Sequence, residues 1–248
     1  MIKQAIRGAA KRFGCSISRV GKTNRFQEME GVLGLLRANN YDPQLVIDAG
    51  ANFGQWAHVA ETFFPRAEYY LIEPQPICVQ ALRRWEASDP RIHVQPVAVT
   101  TSGTSAVRMT GTGKGGGSGA RVADSATTSP EDIQVEATTL DELLAGKVLL
   151  EHHAFLKLDL EGHEWWALQG AEQLLPKVEV LLSEVSFYDL NASSRRLFSD
   201  LLMFLREREF ELFDFASLSP RPRDGRLRMG DAVWVHRGSA LLADLRFY

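Results

Sequence analysis

Residues 46–54 constrain the fold of this chain more than any other segment. They read Val-Ile-Asp-Ala-Gly-Ala-Asn-Phe-Gly, a short apolar strand that ends in an acid, Asp48, and runs into a turn built around Gly50 and Gly54. Glycine lets the backbone approach a ligand closely and take turn conformations that a β-carbon would block. We expect a helix to begin near Gln55, with free N–H groups directed at a ligand above the carboxyl end of the strand. The segment therefore predicts a nucleotide-type ligand at this position.

Departures from the dinucleotide pattern indicate which ligand this is. A dinucleotide site needs three glycines so that the pyrophosphate can rest on the helix N-terminus, whereas here Asn52, Phe53 and Trp56 crowd the loop. Asp48 adds a carboxylate, which disfavours a pyrophosphate and suits an ammonium. S-adenosylmethionine carries an ammonium and a sulfonium but no phosphate, so the turn favours this cofactor.

Glu73 supports the same cofactor. It follows the apolar run 69–72, about 20 residues beyond the glycines, where a carboxylate can accept both hydroxyls of a ribose. Neither Arg nor Lys flanks it, so a 2′-phosphate would find no partner there. The order of strand, acid, glycine turn, helix, second strand and second acid therefore points to S-adenosylmethionine.

The size and composition of the chain permit one α/β domain with a small addition. It has 248 residues, of which 45% are hydrophobic and 24% charged. A net charge of -3 argues against a nucleic-acid partner. The N-terminus lacks the apolar core of a signal peptide, and no run of about 18 apolar residues is present. Cys15 and Cys78 lack metal spacing, so we expect two free thiols and a cytoplasmic protein.

The order of predicted elements is that of an alternating α/β fold. The predicted strands are 45–48, 69–73, 92–99, 154–159, 179–184, 210–215 and 232–236, with helices at 55–64, 75–87, 164–175 and 193–208. This spacing gives right-handed crossovers and a parallel sheet covered on both faces, and the last two strands suggest an antiparallel hairpin at its edge. We predict a Rossmann-like class I methyltransferase fold with a mostly parallel seven-stranded sheet, an antiparallel C-terminal hairpin and an added hairpin insertion. The cofactor-binding domain spans 41–248, and the helical segment 1–40 is a substrate cap or a surface anchor.

The insertion at 100–138 interrupts the alternation. It is rich in Gly, Ser and Thr, and apolar residues alternate at 106–109 and 133–137. This pattern predicts two short strands joined by a mobile glycine loop, a lid or a flexible tip. Lys114 lies among the glycines of this loop, but the Gly-Lys-Ser/Thr end of a Walker A motif is missing, which disfavours a phosphate site.

The densest charged segment ends the fourth predicted strand. Residues 156–164 read Leu-Lys-Leu-Asp-Leu-Glu-Gly-His-Glu, and strand alternation would place Lys157, Asp159 and Glu161 on one face. Charges on a buried strand are costly without partners, so they indicate a site. Right-handed winding puts this strand beside the first, which would bring Asp159 next to Gly50.

His163 and Glu164 are expected to open the next helix. Each has a structural alternative, His163 as a surface residue and Glu164 as a helix-start acid. Methyl transfer to an alcohol needs an aligned hydroxyl and a group that takes its proton, which a carboxylate or His163 could provide. The alternative is a divalent cation held by Asp159, Glu161 and Glu184. We favour base catalysis without a metal and predict no metal ligands.

Five segments together resemble the FkbM family of methyltransferases. They are 46–54, Ile-Glu-Pro at 72–74, Thr-Leu-Asp-Glu-Leu at 139–143, the segment 156–164, and Leu-Gln-Gly-Ala at 168–171. The resemblance covers roughly 45–184 and implies a Rossmann-like fold, S-adenosylmethionine as methyl donor and usually O-methylation of hydroxyls on sugars or secondary metabolites. Many relatives place a histidine two residues after the acid of the fifth strand, where this chain has Ser186 after Glu184. The resemblance therefore supports a role in the chemistry for the fourth strand more strongly than for the fifth.

The resemblance also implies site residues. It assigns Asp48, Gly50, Asn52, Gly54 and Glu73 to the cofactor pocket, to which we add Ala51, Pro74 and Ala98. It assigns Asp159, Glu161 and Glu164 to the reaction zone, to which we add His163. The expected acceptor is the hydroxyl of a small molecule or glycan.

The N-terminal residues carry a separate pattern. Before Glu28 every charged side chain is basic, and Ile2, Ile6, Ala9 and Phe13 recur at helical spacing. An amphipathic basic helix is therefore predicted. It is expected either to pack on the domain or to bind anionic lipid reversibly at the inner face of the membrane.

Several alternatives stay open. Trp165 and Trp166 cannot both face the core, so at least one is expected to line a substrate wall or a contact within a homodimer. A nicotinamide oxidoreductase is disfavoured by the missing third glycine and by Asp48. A non-catalytic cofactor-binding or membrane-associated scaffold is disfavoured by the acids Asp159 and Glu161.

Overall fold

The structure is a computed structural model that describes residues 29–112, 119–123, 129–147, 154–189 and 196–243. The predicted basic helix before Glu28, Cys15, Lys114 and most of the glycine loop lie outside the described residues. Within those ranges, no helix is both long and apolar enough to cross a membrane.

The described elements follow the alternating order that the sequence predicts. In chain order they are α1 Met29–Ala38, β1 Leu45–Ala49, α2 Gln55–Phe63, β2 Glu68–Ile72, α3 Pro76–Glu86, β3 Ile92–Gln95, β4 Ala98–Val99, β5 Ala106–Thr110, β6 Arg121–Val122, β7 Ile133–Thr138, α4 Leu140–Leu143, β8 Ala154–Leu158, α5 Glu164–Gln169, β9 Val178–Ser186, α6 Phe198–Arg206, β10 Phe210–Pro220 and β11 Leu227–His236. Short 3-10 helices lie at Leu175–Lys177 and Ala240–Leu242.

A seven-stranded sheet in the order β10-β11-β9-β8-β1-β2-β3 forms the centre of the fold. β1 pairs in parallel with β2 on one side and with β8 on the other, as right-handed winding from β1 requires. β11 is antiparallel to both of its neighbours, β9 and β10. The predicted fold class is confirmed, because a mostly parallel sheet ends in an antiparallel C-terminal pair.

The two faces of this sheet are covered by different helices. Apolar side chains of α1, α2 and α3 pack on one face, and those of α4, α5 and α6 pack on the other. Burial on both faces explains why β1 and β8 are buried at every position. Cys78 is a buried free thiol. It lies within α3, in the segment that the sequence predicts to be helical.

Several predicted boundaries differ from the structure. The last two strands, predicted at 210–215 and 232–236, are longer and span Phe210–Pro220 and Leu227–His236. The strand predicted at 92–99 is broken between β3 and β4, because Pro96 has no N–H with which to continue the ladder. The helix predicted at 164–175 ends at Gln169, where Gly170 caps it. The helix predicted at 193–208 spans Phe198–Arg206, and residues 193–195 lie outside the described ranges.

The insertion forms a sheet of its own. Its strands lie in the order β4-β7-β5-β6, with β5 antiparallel to β7 as the predicted hairpin requires. Ala98, Val107, Met109 and Ala137 form a small apolar cluster beneath this sheet. β6 is an additional strand that the sequence does not predict.

Contacts at the end of α5 fix the insertion to the domain. A β-carbon at Gly170 would come within 2.3 Å of the carbonyl oxygen of Thr100, so this close approach requires glycine. Thr139 caps α4 in a capping box with Glu142. The Asp141 carboxylate accepts the backbone N–H of Leu174 at 2.8 Å. The Thr-Leu-Asp-Glu segment is therefore a structural connection between the insertion and the central sheet.

Candidate active site

A cavity of about 420 Å³ lies where β1, β2 and β8 end. Its volume is in the range of small-molecule and cofactor sites. Most of the predicted site residues line it, namely Gly50, Ala51, Asn52, Glu73, Pro74, Ala98, Asp159, Glu161 and His163. The structure thus brings most members of both predicted sets, cofactor-binding and catalytic, into one cavity, but Asp48, Gly54 and Glu164 do not line it.

The turn after β1 is packed against the turn after β8. Gly50 has a φ of 83°, and a β-carbon there would meet the Asp159 carbonyl oxygen at 1.9 Å. Gly54 caps α2 with a φ of 82°, but it faces Leu82 and Trp85 of the neighbouring helix and does not line the cavity. Gly54 therefore serves packing in this structure, whereas Gly50 shapes the cavity wall.

Glu73 lies at the end of β2 and is only 3% exposed. Its Oε2 accepts the backbone N–H of Asn52 and its Oε1 accepts that of Gln75, both at 2.8 Å. Burial raises the pKa of this carboxyl above its usual value, and the hydrogen bonds from the two N–H groups offset only part of that rise. A carboxylate offers about four lone-pair sites. The Gln75 side chain also donates to this carboxylate, so Glu73 keeps about one lone-pair site for a hydroxyl group of a ligand.

Asp48 lies below the cavity rather than on its wall. It is fully buried, and its Oδ1 accepts a hydrogen bond from Lys157 Nζ at 2.9 Å. Its Oδ2 is buried without a hydrogen-bond partner among the described residues. Lys157, the hydrogen-bond partner of Asp48, lines the cavity, whereas Asp48 does not. That this acid meets the cofactor ammonium directly stays a prediction.

The turn after β8 begins earlier than strand alternation predicts. β8 ends at Leu158, and Glu161 has a left-handed φ of 54°. Lys157 and Asp159 lie 3.4 Å apart, as their shared face predicts, but Glu161 belongs to the turn and not to the strand. Glu161 still reaches the cavity wall from this turn.

Glu164 holds the same turn from inside. Its Oε1 accepts the N–H groups of Leu160 at 2.8 Å and Gly162 at 3.2 Å. Burial raises its pKa to about 7. It lines a second, smaller cleft together with Glu184 and does not line the main cavity. These contacts hold the turn after β8 in place, and a catalytic role of Glu164 stays a prediction.

His163 is held on two sides. Its Nε2 lies 3.0 Å from the Thr100 hydroxyl, and its ring stacks on Trp166 at 4.9 Å between centroids. Burial lowers its pKa to about 4. The imidazole is therefore neutral at pH 7. Trp165 instead packs against Phe204 of the core, so the two tryptophans face different surroundings.

Acids also gather around the second cleft. Burial, followed by the charges of Glu164 and Asp159, raises the pKa of Glu184 to about 9. Among the described residues, no three His, Cys, Asp or Glu side chains are arranged to hold a metal ion.

Sequence reasoning missed several cavity residues. Met109, Arg121 and Val122 reach the cavity from the insertion sheet, and Trp56 and Gln75 reach it from beside the two turns. The apolar alternation at 106–109 signals a strand with one buried face, but not what that face covers. Thr100 carries no motif, so its contact with His163 has no sequence signal.

Comparison with known proteins identifies the family. The family model for the Methyltransferase FkbM domain matches residues 48–212, which is more than half of the chain. A search of curated proteins returns no significant match.

Solved structures that resemble this chain have low sequence identity to it. The METTL16 methyltransferase domain is 12% identical with a TM-score of 0.48, over 95% of this chain and 81% of its own. The 1,6-didemethyltoxoflavin-N1-methyltransferase of Burkholderia thailandensis is 16% identical with a TM-score of 0.42, over 95% and 87%. Fibrillarin of Aeropyrum pernix is 13% identical with a TM-score of 0.43, over 84% and 76%. The family assignment rests on the match to the family model. The chain belongs to the FkbM family of methyltransferases and uses S-adenosylmethionine as its cofactor.

Proposed function

We propose that this protein methylates a hydroxyl group of a sugar, a glycan or a secondary metabolite. The observation that carries the proposal is that Asp159, Glu161 and His163 line the same cavity as Gly50 and Glu73. An alcohol is a weak acid, so its methylation benefits from a group that removes its proton at the reacting centre. A cavity that combines a cofactor wall with such groups suits an oxygen acceptor.

Features of the cavity fit S-adenosylmethionine. Glu73 would accept a hydrogen bond from a ribose hydroxyl, and the backbone at Gly50 and Ala51 would allow close approach of the ligand. Val97 and Val99 provide apolar surface suited to an adenine ring. When bound, the cofactor supplies a methyl group activated by its sulfonium.

His163 is the proton acceptor that these contacts favour. Burial lowers its pKa to about 4, so the imidazole is unprotonated at neutral pH, but the same shift makes it a weaker base than an exposed histidine. Thr100 and Trp166 restrict its ring. Asp159 and Glu161 would orient the acceptor by accepting hydrogen bonds from its other hydroxyl groups, while the reacting hydroxyl donates its single hydrogen bond to the imidazole.

Transfer of a labelled methyl group tests the proposal. Purified protein would be incubated with methyl-tritiated S-adenosylmethionine and separate acceptor pools of neutral glycosides, uronic acids, phenols and other alcohols, amines, and total RNA. The expected product is a methyl ether in a small-molecule or glycan pool, because an ether survives mild alkali whereas a methyl ester does not. Label in RNA, in an amine or in an ester would contradict the proposed acceptor. Cofactor binding without transfer to any pool would support a non-catalytic scaffold.

Treatment with a chelator tests the proposed base. We expect turnover to survive exhaustive EDTA treatment and to be lost in His163→Ala. Loss with EDTA that Mg²⁺ restores would instead indicate a cation that activates the acceptor oxygen.

A further inference from the structure

We infer that Lys157 binds the carboxylate of the methionine part of S-adenosylmethionine and that Asp48 is its buried counter-charge. The inference rests on the proposed placement of the cofactor in the main cavity. Lys157 lines that cavity, although its side chain is only 5% exposed. Its ammonium lies 2.9 Å from Asp48 Oδ1 and 3.4 Å from Asp159 Oδ2.

The order of the strands sets the direction of the ligand. Glu73 ends β2, and Val97 and Val99 lie at the cavity beyond β3. The ribose and adenine therefore belong on the β2 and β3 side of β1. Because β8 is the neighbour of β1 on the opposite side, the amino-acid end of the cofactor extends towards β8, where Lys157 and Asp159 lie.

Lys157 keeps one N–H donor with which it can bind a ligand. A lysine ammonium has three donors, and Asp48 and Asp159 engage two of them. A carboxylate is the part of the cofactor that such a donor recognises. Arg121 is the other cation on the described part of the cavity wall, and it belongs to β6 of the insertion rather than to the central sheet.

The buried acid explains how Lys157 is kept charged and in place. Asp48 and Lys157 are register partners on adjacent parallel strands. A buried ammonium is costly unless it is paired and hydrogen-bonded. Asp48 thus acts on the cofactor through Lys157. This assigns the conspicuous acid of the segment 46–54 a positioning role.

Calorimetry of the full chain with three ligands tests the inference without an acceptor. S-Adenosylhomocysteine carries the complete amino-acid group, decarboxylated S-adenosylhomocysteine lacks only the carboxylate, and 5′-methylthioadenosine lacks the whole group. Wild type is expected to bind the first about tenfold to a hundredfold more tightly than the second. In Asp48→Asn/Lys157→Met this preference should fall to within about threefold, with 5′-methylthioadenosine binding unchanged. The double variant avoids leaving a buried carboxylate without its partner.

Two further variants make the result decisive. Arg121→Met removes the rival cation and should keep the wild-type preference. Lys157→Gln, which can still donate to Asp48, should also lose the preference and serves if the double variant fails to fold. The inference is overturned if wild type binds S-adenosylhomocysteine and its decarboxylated form equally, or if both Lys157 variants keep the preference for S-adenosylhomocysteine. It is also overturned if Arg121→Met loses that preference, or if the Lys157 variants lose affinity for 5′-methylthioadenosine as much as for S-adenosylhomocysteine. Failure of wild type to bind S-adenosylhomocysteine or 5′-methylthioadenosine would instead overturn the proposed placement of the cofactor.

Discussion

The backbone carbonyl of Asp159 lies against Gly50, so close that a β-carbon at position 50 would come within 1.9 Å of its oxygen. This contact joins the turn that shapes the cofactor wall to the turn that carries the acids. Gly50→Ala is expected to lower the free energy of unfolding by more than about 2 kcal/mol, because a left-handed φ and a backbone clash are both unfavourable. It should also abolish binding of S-adenosylhomocysteine, as measured by denaturant unfolding and calorimetry.

Gly103→Ala is the matched control for that prediction. Gly103 has a φ of 80°, close to that of Gly50, but a β-carbon there would have nothing within 4 Å. This variant should lose only about 1 to 2 kcal/mol of stability from backbone strain and should bind the cofactor normally. Equal effects of the two variants would show that conformation, not the approach of Asp159, matters at Gly50.

Glu73→Gln is expected to weaken binding of every adenosine ligand. The amide that replaces the carboxylate has only one oxygen, so it cannot accept both the Asn52 and Gln75 N–H groups as well as a ribose hydroxyl. The loss should be about tenfold or more. It should be the same for S-adenosylhomocysteine and 5′-methylthioadenosine, in contrast to the Lys157 variants. A loss confined to S-adenosylhomocysteine would place Glu73 at the wrong end of the ligand.

Thr100→Val is expected to lower turnover about tenfold without changing cofactor affinity, because the hydroxyl 3.0 Å from His163 Nε2 orients the proposed base. Thr100→Ser keeps the hydroxyl and should restore turnover. Steady-state kinetics with the acceptor found in the transfer experiment would check both variants. Failure of the serine variant to restore turnover would mean that Thr100 matters for packing alone.

The charge state of His163 can be measured without an acceptor. Burial lowers its pKa to about 4, so the native imidazole should still be neutral at about pH 5.5, where an ordinary histidine is mostly protonated. Nitrogen chemical shifts of the ring, assigned by comparison with His163→Gln, would report this. A protonated ring at that pH would show that the imidazole is not desolvated as the structure indicates.

Glu184→Gln is expected to stabilise the protein at alkaline pH. The native carboxyl keeps its proton up to a pKa of about 9, whereas the unfolded carboxyl loses it near 4.5. Wild type therefore loses stability as pH rises through this window, and the glutamine variant does not. The difference should reach about 1 to 3 kcal/mol at pH 8 and vanish near pH 4.5.

Denaturant unfolding across this pH range would check the effect. Glu136→Gln, which removes an exposed acid from β7, should show no such trend. A pH-independent effect of Glu184→Gln would show that removal of the side chain, not of its ionisation, changes stability.

The elements that the sequence predicts well are those with local signals. The apolar strand before Gly50, the apolar run before Glu73 and the alternation before Asp159 each identify a strand. Right-handed winding then places the first and last of these strands side by side. The residues that end these strands meet in one cavity for the same reason.

The features that the sequence does not predict depend on register and docking. Asp48 and Lys157 are 109 residues apart, and only the register of β1 with β8 shows that they form a pair. The alternation of apolar and charged residues also wrongly places Glu161 on the strand, because no local sequence signal predicts its left-handed φ. Contacts from Met109 and Val122 depend on how the insertion sheet docks, which residue pattern alone does not encode.

The most direct measurement is a calorimetric comparison of S-adenosylhomocysteine and NAD on wild type and on Gly50→Ala. We expect wild type to bind S-adenosylhomocysteine and not NAD, and Gly50→Ala to bind neither. Binding of NAD alone, or binding of S-adenosylhomocysteine that Gly50→Ala leaves unchanged, would contradict the claim that the cavity between Gly50, Glu73 and Asp159 holds the methyl donor.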